Sequence, residues 1–309
     1  MNGFGLLLAV PTVLVWGVTF VNTKALLVDF SALEILFLRF VMAYAALWAF
    51  RPRVFRVGTW RQEVPYIVMG LMGVTVYQFL ENCAIHWTNA SNVSIIVSIC
   101  PMTTALLAQF WNRERVLSWT FALGFVLAMA GVTLVSLNGI SEFHFRPAGD
   151  VLAFAAAAAW SVYSIVVTRR NAEGVDAILM TRRVFFWALV FMLPLVAWGA
   201  TDAGRAFADG MFATDFGWSR NAARFVKPLN LVNLTFLGLL ASAACFAAWN
   251  AACRLLGTVR VSTGLYSLPV ITFVFAGLFL GEQLTLVGAF GAVLTILGVI
   301  LSARQKRWA

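Results

Sequence analysis

Residues 70–114 read GLMGVTVYQFLENCAIHWTNASNVSIIVSICPMTTALLAQFWNRE, and residues 238–282 read GLLASAACFAAWNAACRLLGTVRVSTGLYSLPVITFVFAGLFLGE. A shift of 168 residues lays the first stretch on the second without a gap, and 10 of the 45 positions are identical. The identities are Gly70/Gly238, Leu71/Leu239, Asn82/Asn250, Ala84/Ala252, Val93/Val261, Ser94/Ser262, Pro101/Pro269, Thr104/Thr272, Ala108/Ala276 and Glu114/Glu282. Each copy keeps its Pro and Glu 13 residues apart. One match in so apolar a composition would carry no weight, but an ungapped series marks an internal repeat.

The repeat extends in both directions. Towards the N-terminus a shift of 144 pairs Trp16 with Trp160 and Arg39 with Arg183. The two shifts differ by 24 residues, which a long loop at about 200–230 in the second half absorbs. Towards the C-terminus, Gly124 and Gly131 are 7 residues apart, as are Gly291 and Gly298. The chain therefore divides into two units, residues 1–139 and 147–309.

Composition gives the environment. Of 309 residues, 61% are hydrophobic and 11% charged, and the mean hydropathy is +0.87. Soluble globular chains are about a quarter charged, and one water-soluble core of this size could not hide so much apolar surface. An ordinary soluble enzyme, a disordered chain and a disulfide scaffold are excluded. A membrane protein is left, with the lipid bilayer as its first partner. The net charge of +9 does not point to nucleic acid, which requires a basic face or stripe. Here the basic residues sit in short clusters at the ends of apolar runs. Cys83, Cys100, Cys245 and Cys253 all lie in apolar stretches, and His86 and His144 stand far apart. No metal site and no cofactor is expected.

About 20 apolar residues span the hydrocarbon layer as a helix, and ten such stretches are present: 3–22, 32–50, 65–86, 91–111, 118–137, 149–168, 177–199, 231–253, 261–280 and 284–303. The first is read as a retained helix, with no basic residue before it and no clear cleavage site after it. With a cytoplasmic N-terminus, 15 Lys and Arg residues of the connections and the C-terminal end fall on the cytoplasmic side and 6 on the other. The positive-inside rule then places both termini in the cytoplasm. Five helices per repeat is an odd number, so the second unit enters the membrane upside down. Inverted repeats are typical of secondary transporters, whose substrate sites lie near the midplane between the halves. The expected fold is an all-α polytopic membrane protein of ten transmembrane helices in two inverted five-helix repeats.

The matched residues also resemble a known family. Trp16-Gly17-Val18-Thr19-Phe20 in the first helix is similar to the opening motif of the EamA-type transporters, within the drug/metabolite transporter superfamily. Arg39, Pro101 and Glu114 resemble the first repeat of that family. Ser267-Leu268-Pro269-Val270, Gly277, Leu280-Gly281-Glu282, Gly291 and Gly298 resemble the second. The likeness covers essentially the whole chain. It implies alternating access around a central cavity and export of small metabolites such as amino acids, or of drugs. Asn112-Arg113 before Glu114, the acid Glu81 and the long loop depart from the pattern.

Ionisable groups inside a bilayer need a partner or a role. Arg39 either binds a substrate carboxylate or ties neighbouring helices through carbonyl groups, and its place in a family of varied substrates favours the second. Tyr77, Gln78, Glu81 and Asn82 share one face of the third helix. That polar face calls for a wet cavity, because lipid would not solvate it. Glu81 can hold a substrate ammonium, take a proton, or pair with Arg39. By the repeat, Asn250 is the counterpart of Asn82 and Trp249 of Glu81, which makes the cavity asymmetric. Trp16, Trp160, Tyr163, Tyr266 and Ser267 are further candidate liners, and aromatic faces attract ammonium groups. Trp60, Trp87, Trp119 and Trp308 fit membrane interfaces instead. Pro101 and Pro269 should kink or open the fourth and ninth helices and can act as hinges. Glu114 and Glu282 are read as caps of the following helices, and Gly277-x-x-x-Gly281 as a close helix contact.

The resulting expectation is a transporter of the bacterial inner membrane that exports small amphipathic metabolites, with neutral or aromatic amino acids as the best fit. Organic cations and other drugs are the alternative within transport. A membrane-embedded enzyme would need a Ser/His, Asp/Asp or metal constellation near one interface, and the sequence offers none. Monomer and homodimer both stay open.

Overall fold

The computed structural model describes residues 3–87, 90–111, 118–136, 147–207, 222–280 and 285–303. Among these residues every regular element is helical. Seven helices are long and apolar enough to cross a membrane, and the shorter apolar helices Trp119–Val135 and Leu286–Ser302 accompany them. The chain is an all-α, multi-pass membrane protein.

The first unit opens with α1 (Gly3–Leu26) and α2 (Ala32–Phe50). Ser31 starts α2 with a capping box: its hydroxyl accepts from the Glu34 backbone N–H, and the Glu34 carboxylate accepts from the Ser31 N–H. This satisfies two donors that a helix start leaves over. The third span, Trp60–Trp87, is built from α3 (Trp60–Val68), a π-helical stretch (Met69–Val76) and α4 (Tyr77–Trp87). Then follow α5 (Ala90–Val97), α6 (Cys100–Trp111) and α7 (Trp119–Ser136). The second unit follows. It runs through α8 (Pro147–Ala172), α9 (Ala177–Gly199), the short α10 (Asp202–Phe207) and a 3-10 turn at Ala222–Phe225. Next come α11 (Pro228–Thr235), a second π-helical stretch (Phe236–Ala244) and α12 (Cys245–Leu256). The unit closes with α13 (Thr258–Ser262), a 3-10 turn (Thr263–Ser267), α14 (Leu268–Leu280) and α15 (Leu286–Ala303).

Several helices outrun their apolar cores. The third span begins at Trp60 rather than 65, and α8 ends at Ala172 rather than 168. Two of the charges on these added turns are paired. Glu63 takes the Arg183 guanidinium at 2.6 Å and the Trp187 indole N–H, and Arg170 pairs with Glu173. Pro101 and Pro269 do not lie inside helices: each is the second residue of a new helix, α6 or α14, where its missing N–H costs nothing. Glu114, Glu282, Gly281, Trp308 and the centre of the 200–230 loop lie outside the described residues.

The packing pairs the units crosswise. The first helix of one unit packs on the third span of the other, α1 on α12 and α8 on α4. The second helix of each packs on the opposite π-helical stretch, α2 on Phe236–Ala244 and α9 on Met69–Val76. Glycine makes these approaches possible. A Cβ on Gly70 would lie 2.7 Å from the Val184 carbonyl oxygen, and one on Gly238 would lie 2.8 Å from Met42 Cβ. The last helices, α7 and α15, lie against each other along Gly124, Gly131, Gly291 and Gly298. Gly124 faces Gly298 and Gly131 faces Gly291, so α7 and α15 run antiparallel.

Candidate functional site

The two units meet at a small chamber under an aromatic cluster. Trp16 on α1 and Trp160 on α8, partners under the 144-residue shift, stand edge to face with centroids 5.5 Å apart. Tyr77 lies 4.9 Å from Trp160, and Phe246 lies 5.4 Å from Trp16. Edge-to-face geometry sets the positive rim of one ring on the negative face of another. The chamber has a cavity volume of about 30 Å³. That is room for about two waters, well short of a free amino acid.

Its polar wall comes from α2 and α4. Arg39 is 3% exposed; its Nε donates to Ser242 Oγ at 2.9 Å and one terminal nitrogen to Gln78 Oε1 at 2.9 Å. Its guanidinium also lies 5.3 Å from the Phe40 ring centre. Glu81, one turn from Tyr77, accepts from the Tyr77 hydroxyl at 3.2 Å. No ion pair within 4 Å joins Arg39 and Glu81 among the described residues. The chamber therefore holds a cation and an acid that do not neutralise each other by contact.

The expected liners divide into two groups. Trp16, Arg39, Tyr77, Gln78, Glu81 and Trp160 line the chamber. Asn82, Tyr163, Trp249, Asn250, Tyr266 and Ser267 do not. Asn82 donates to the Ala32 carbonyl at 3.2 Å, tying the third span to the start of α2. Asn250 accepts from the Tyr163 hydroxyl at 2.8 Å and donates to Thr181 at 2.9 Å, a buried link among α8, α9 and α12. Trp249 packs behind Trp16 at 4.9 Å. Tyr266 is fully buried with its hydroxyl unpartnered, and Ser267 closes the 3-10 turn ahead of α14.

Thr19, Phe20, Val97, Phe246, Leu265 and Leu268 complete the lining, none of them picked out from the sequence as liners. Two carried a usable signal: Thr19 and Phe20 lie one turn beyond Trp16. Ser242, Phe246 and Trp249 fall at i, i+4 and i+7, so one helical face feeds Arg39, the chamber and the aromatic cluster in turn.

The π-helical stretches shape this wall. Widening a helix turn offsets the carbonyl ladder, and such turns gather at functional sites. In Phe236–Ala244 the Ala241 carbonyl takes the Trp16 indole N–H at 2.9 Å, and the next residue, Ser242, takes Arg39.

The comparisons with known proteins agree with this architecture. The model of the EamA-like transporter family matches residues 3–137 and again 147–304. A protein of Archaeoglobus fulgidus described as an uncharacterized transporter is 26% identical, over 99% of both chains. A probable amino-acid metabolite efflux pump of Escherichia coli is 26% identical, over 97% of this chain and 95% of its own length. A probable terminal-alkyne amino-acid exporter of Streptantibioticus cattleyicolor is 27% identical, over 89% and 82%. A solved crystal structure superposes with a TM-score of 0.70 at 18% identity, covering 97% of this chain and 98% of the other.

Proposed function

The chain belongs to the EamA-like transporter family, and on that premise we propose that it exports neutral or aromatic amino acids by alternating access. The observation that carries this reading is the chamber itself, where Arg39 and Glu81 stand within one aromatic enclosure without an ion pair between them. A free amino acid brings the complementary set: a carboxylate for the positive field of Arg39, an ammonium for Glu81, and a side chain for the rings of Trp16 and Trp160. The printed names of the Escherichia coli and Streptantibioticus cattleyicolor relatives point to the same substrate class.

In this proposal ten spans form two inverted units, residues 1–139 and 147–309, in a bacterial inner membrane with both termini cytoplasmic. The antiparallel α7 and α15 and the crosswise packing support the inversion, and the distribution of Lys and Arg supports the orientation. A chamber with room for about two waters corresponds to a closed state, so a substrate enters only after the helices part. The breaks before Pro101 and Pro269 give each unit a hinge for that movement.

Counterflow of radiolabelled amino acids in liposomes containing the purified chain tests the proposal. Saturable exchange of neutral or aromatic amino acids is expected, and absence of saturable flux for every amino acid would overturn it. Organic cations are the second reading, favoured by an acid set among aromatic faces. Exchange of a quaternary ammonium in the same liposomes, with none for amino acids, would select it.

A further inference from the structure

A second and larger recess lies outside the chamber, on the flank of the molecule between α1, α2, the start of α9 and α12. Its volume is about 600 Å³. The floor is Ala243, Ala244, Ala247, Ala248 and Ala251, which recur on one face of the third span of the second unit. The walls are apolar, with the exposed rings of Phe4 and Phe50 at the rim. From Leu239 to Arg254 the groove runs about 20 Å, at 1.5 Å per residue. The groove has the calibre of an acyl chain.

Charge is confined to one end. Asp176 at the mouth is committed: one carboxylate oxygen caps α9 through the Ile178 and Leu179 N–H groups, and the other meets Arg51 at 3.1 Å. Arg254 is exposed beside it, and among the described residues its one hydrogen bond goes to a carbonyl, that of Val175 at 3.3 Å. A guanidinium carries five donors and suits phosphate oxygens. Among lipid tails an apolar groove gains nothing by choosing one tail over another, so any selectivity comes from the headgroup.

We propose that this groove binds one anionic phospholipid of the bilayer, its tail along the alanine floor and its phosphate on Arg254. On the orientation proposed above it sits in the cytoplasmic leaflet, where anionic lipids attract basic residues. The floor includes Ala243 and Ala244, next to the residues that hold Trp16 and Arg39, so an occupant braces the π-helical stretch from outside.

Native mass spectrometry of the full chain released from nanodiscs of equal phosphatidylglycerol and phosphatidylcholine, with matched tails, tests this. The unaltered chain should keep one phosphatidylglycerol, preferred about tenfold over phosphatidylcholine. Arg254→Gln should abolish the preference, and Arg254→Lys should restore most of it. Ala248→Phe should fill the groove and release either lipid. Inorganic phosphate in the millimolar range should not displace the retained lipid. No retained lipid, a preference unchanged in Arg254→Gln, or a dimer that Ala248→Phe separates would each overturn the proposal.

Discussion

Trp16 and Trp160 occupy equivalent places in the two units and meet at 5.5 Å, but only one of them has its indole N–H bonded. Trp16 donates to the Ala241 carbonyl at 2.9 Å, whereas the buried Nε1 of Trp160 has no partner among the described residues. The first ring thus fastens a π-helical turn, and the second keeps a buried donor with no bond to lose among the described residues. Trp16→Phe should lower the stability of the detergent-solubilised chain by about 1–3 kcal/mol, the cost of an unpaired buried carbonyl. Trp160→Phe should leave the melting temperature unchanged and raise the KM for export. Equal melting shifts in the two variants would refute this division of roles.

Glu81→Gln keeps an oxygen for the Tyr77 hydroxyl and removes the charge. Flux of ammonium-bearing substrates should fall about tenfold or more, the scale of one charge-assisted hydrogen bond. The melting temperature should hold. Wild-type flux from a folded Glu81→Gln variant would remove this acid from the substrate site.

On the face opposite the Glu63–Arg183 pair, the chain between α1 and α2 is tied to the segment before α11. Arg224 grips both Glu34 oxygens, at 2.8 and 3.0 Å, with the side chains 8% and 2% exposed. Removing one partner strands a buried charge, so Glu34→Gln or Arg224→Gln should cost about 3–5 kcal/mol. A double replacement by apolar residues should recover most of that loss, as read by thermal unfolding.

Asp29, in the same connection, carries a pH dependence of known sign. Its hydrogen bonds from Lys227, at 2.7 Å, and from Asn230 hold the carboxyl below its ordinary value of 3.8. A lowered folded value means that its stabilisation is complete above the unfolded value and is lost as pH falls through the folded one. Asp29→Asn should therefore flatten the melting curve against pH below about pH 4 and lower the melting temperature at neutrality, where the stabilisation in the unaltered chain is complete. A wild-type acid slope in that variant would contradict the assignment.

A Cβ on Gly131 would fall 2.5 Å from the Gly291 carbonyl oxygen and closer still to the Thr295 nitrogen, whereas one on Gly3 meets open space. Gly131→Ala should destabilise by about 1–3 kcal/mol through overpacking, and Gly3→Ala should be neutral. Comparable melting temperatures would mean that α7 and α15 do not pack this closely.

The residues explain how much of this was readable beforehand. The apolar runs, their near-20-residue length and the Gly124/Gly131 and Gly291/Gly298 spacings are local, and the helices follow them to within a few residues. Six of the twelve expected liners reach the chamber because Tyr77, Gln78 and Glu81 share a helical face and Trp16, Arg39 and Trp160 sit near mid-span. Asn82 and Asn250 show where that reasoning stops. Both look like cavity amides, but each bonds a neighbouring helix, a choice made by which donor or acceptor stands within hydrogen-bonding reach. The π-helical stretches left no mark in the hydrophobic pattern.

Sequence alone determined the environment and the approximate limits of the apolar helices, because burial in lipid and helix periodicity act residue by residue. Tertiary structure decided which of two tryptophans is bonded, that Arg39 hydrogen-bonds Ser242 and Gln78 without an ion-pair contact to Glu81, and that the flank carries an apolar groove ending in Arg254. Those outcomes depend on contacts between residues as many as 225 positions apart, and only the packed chain brings them within hydrogen-bonding reach.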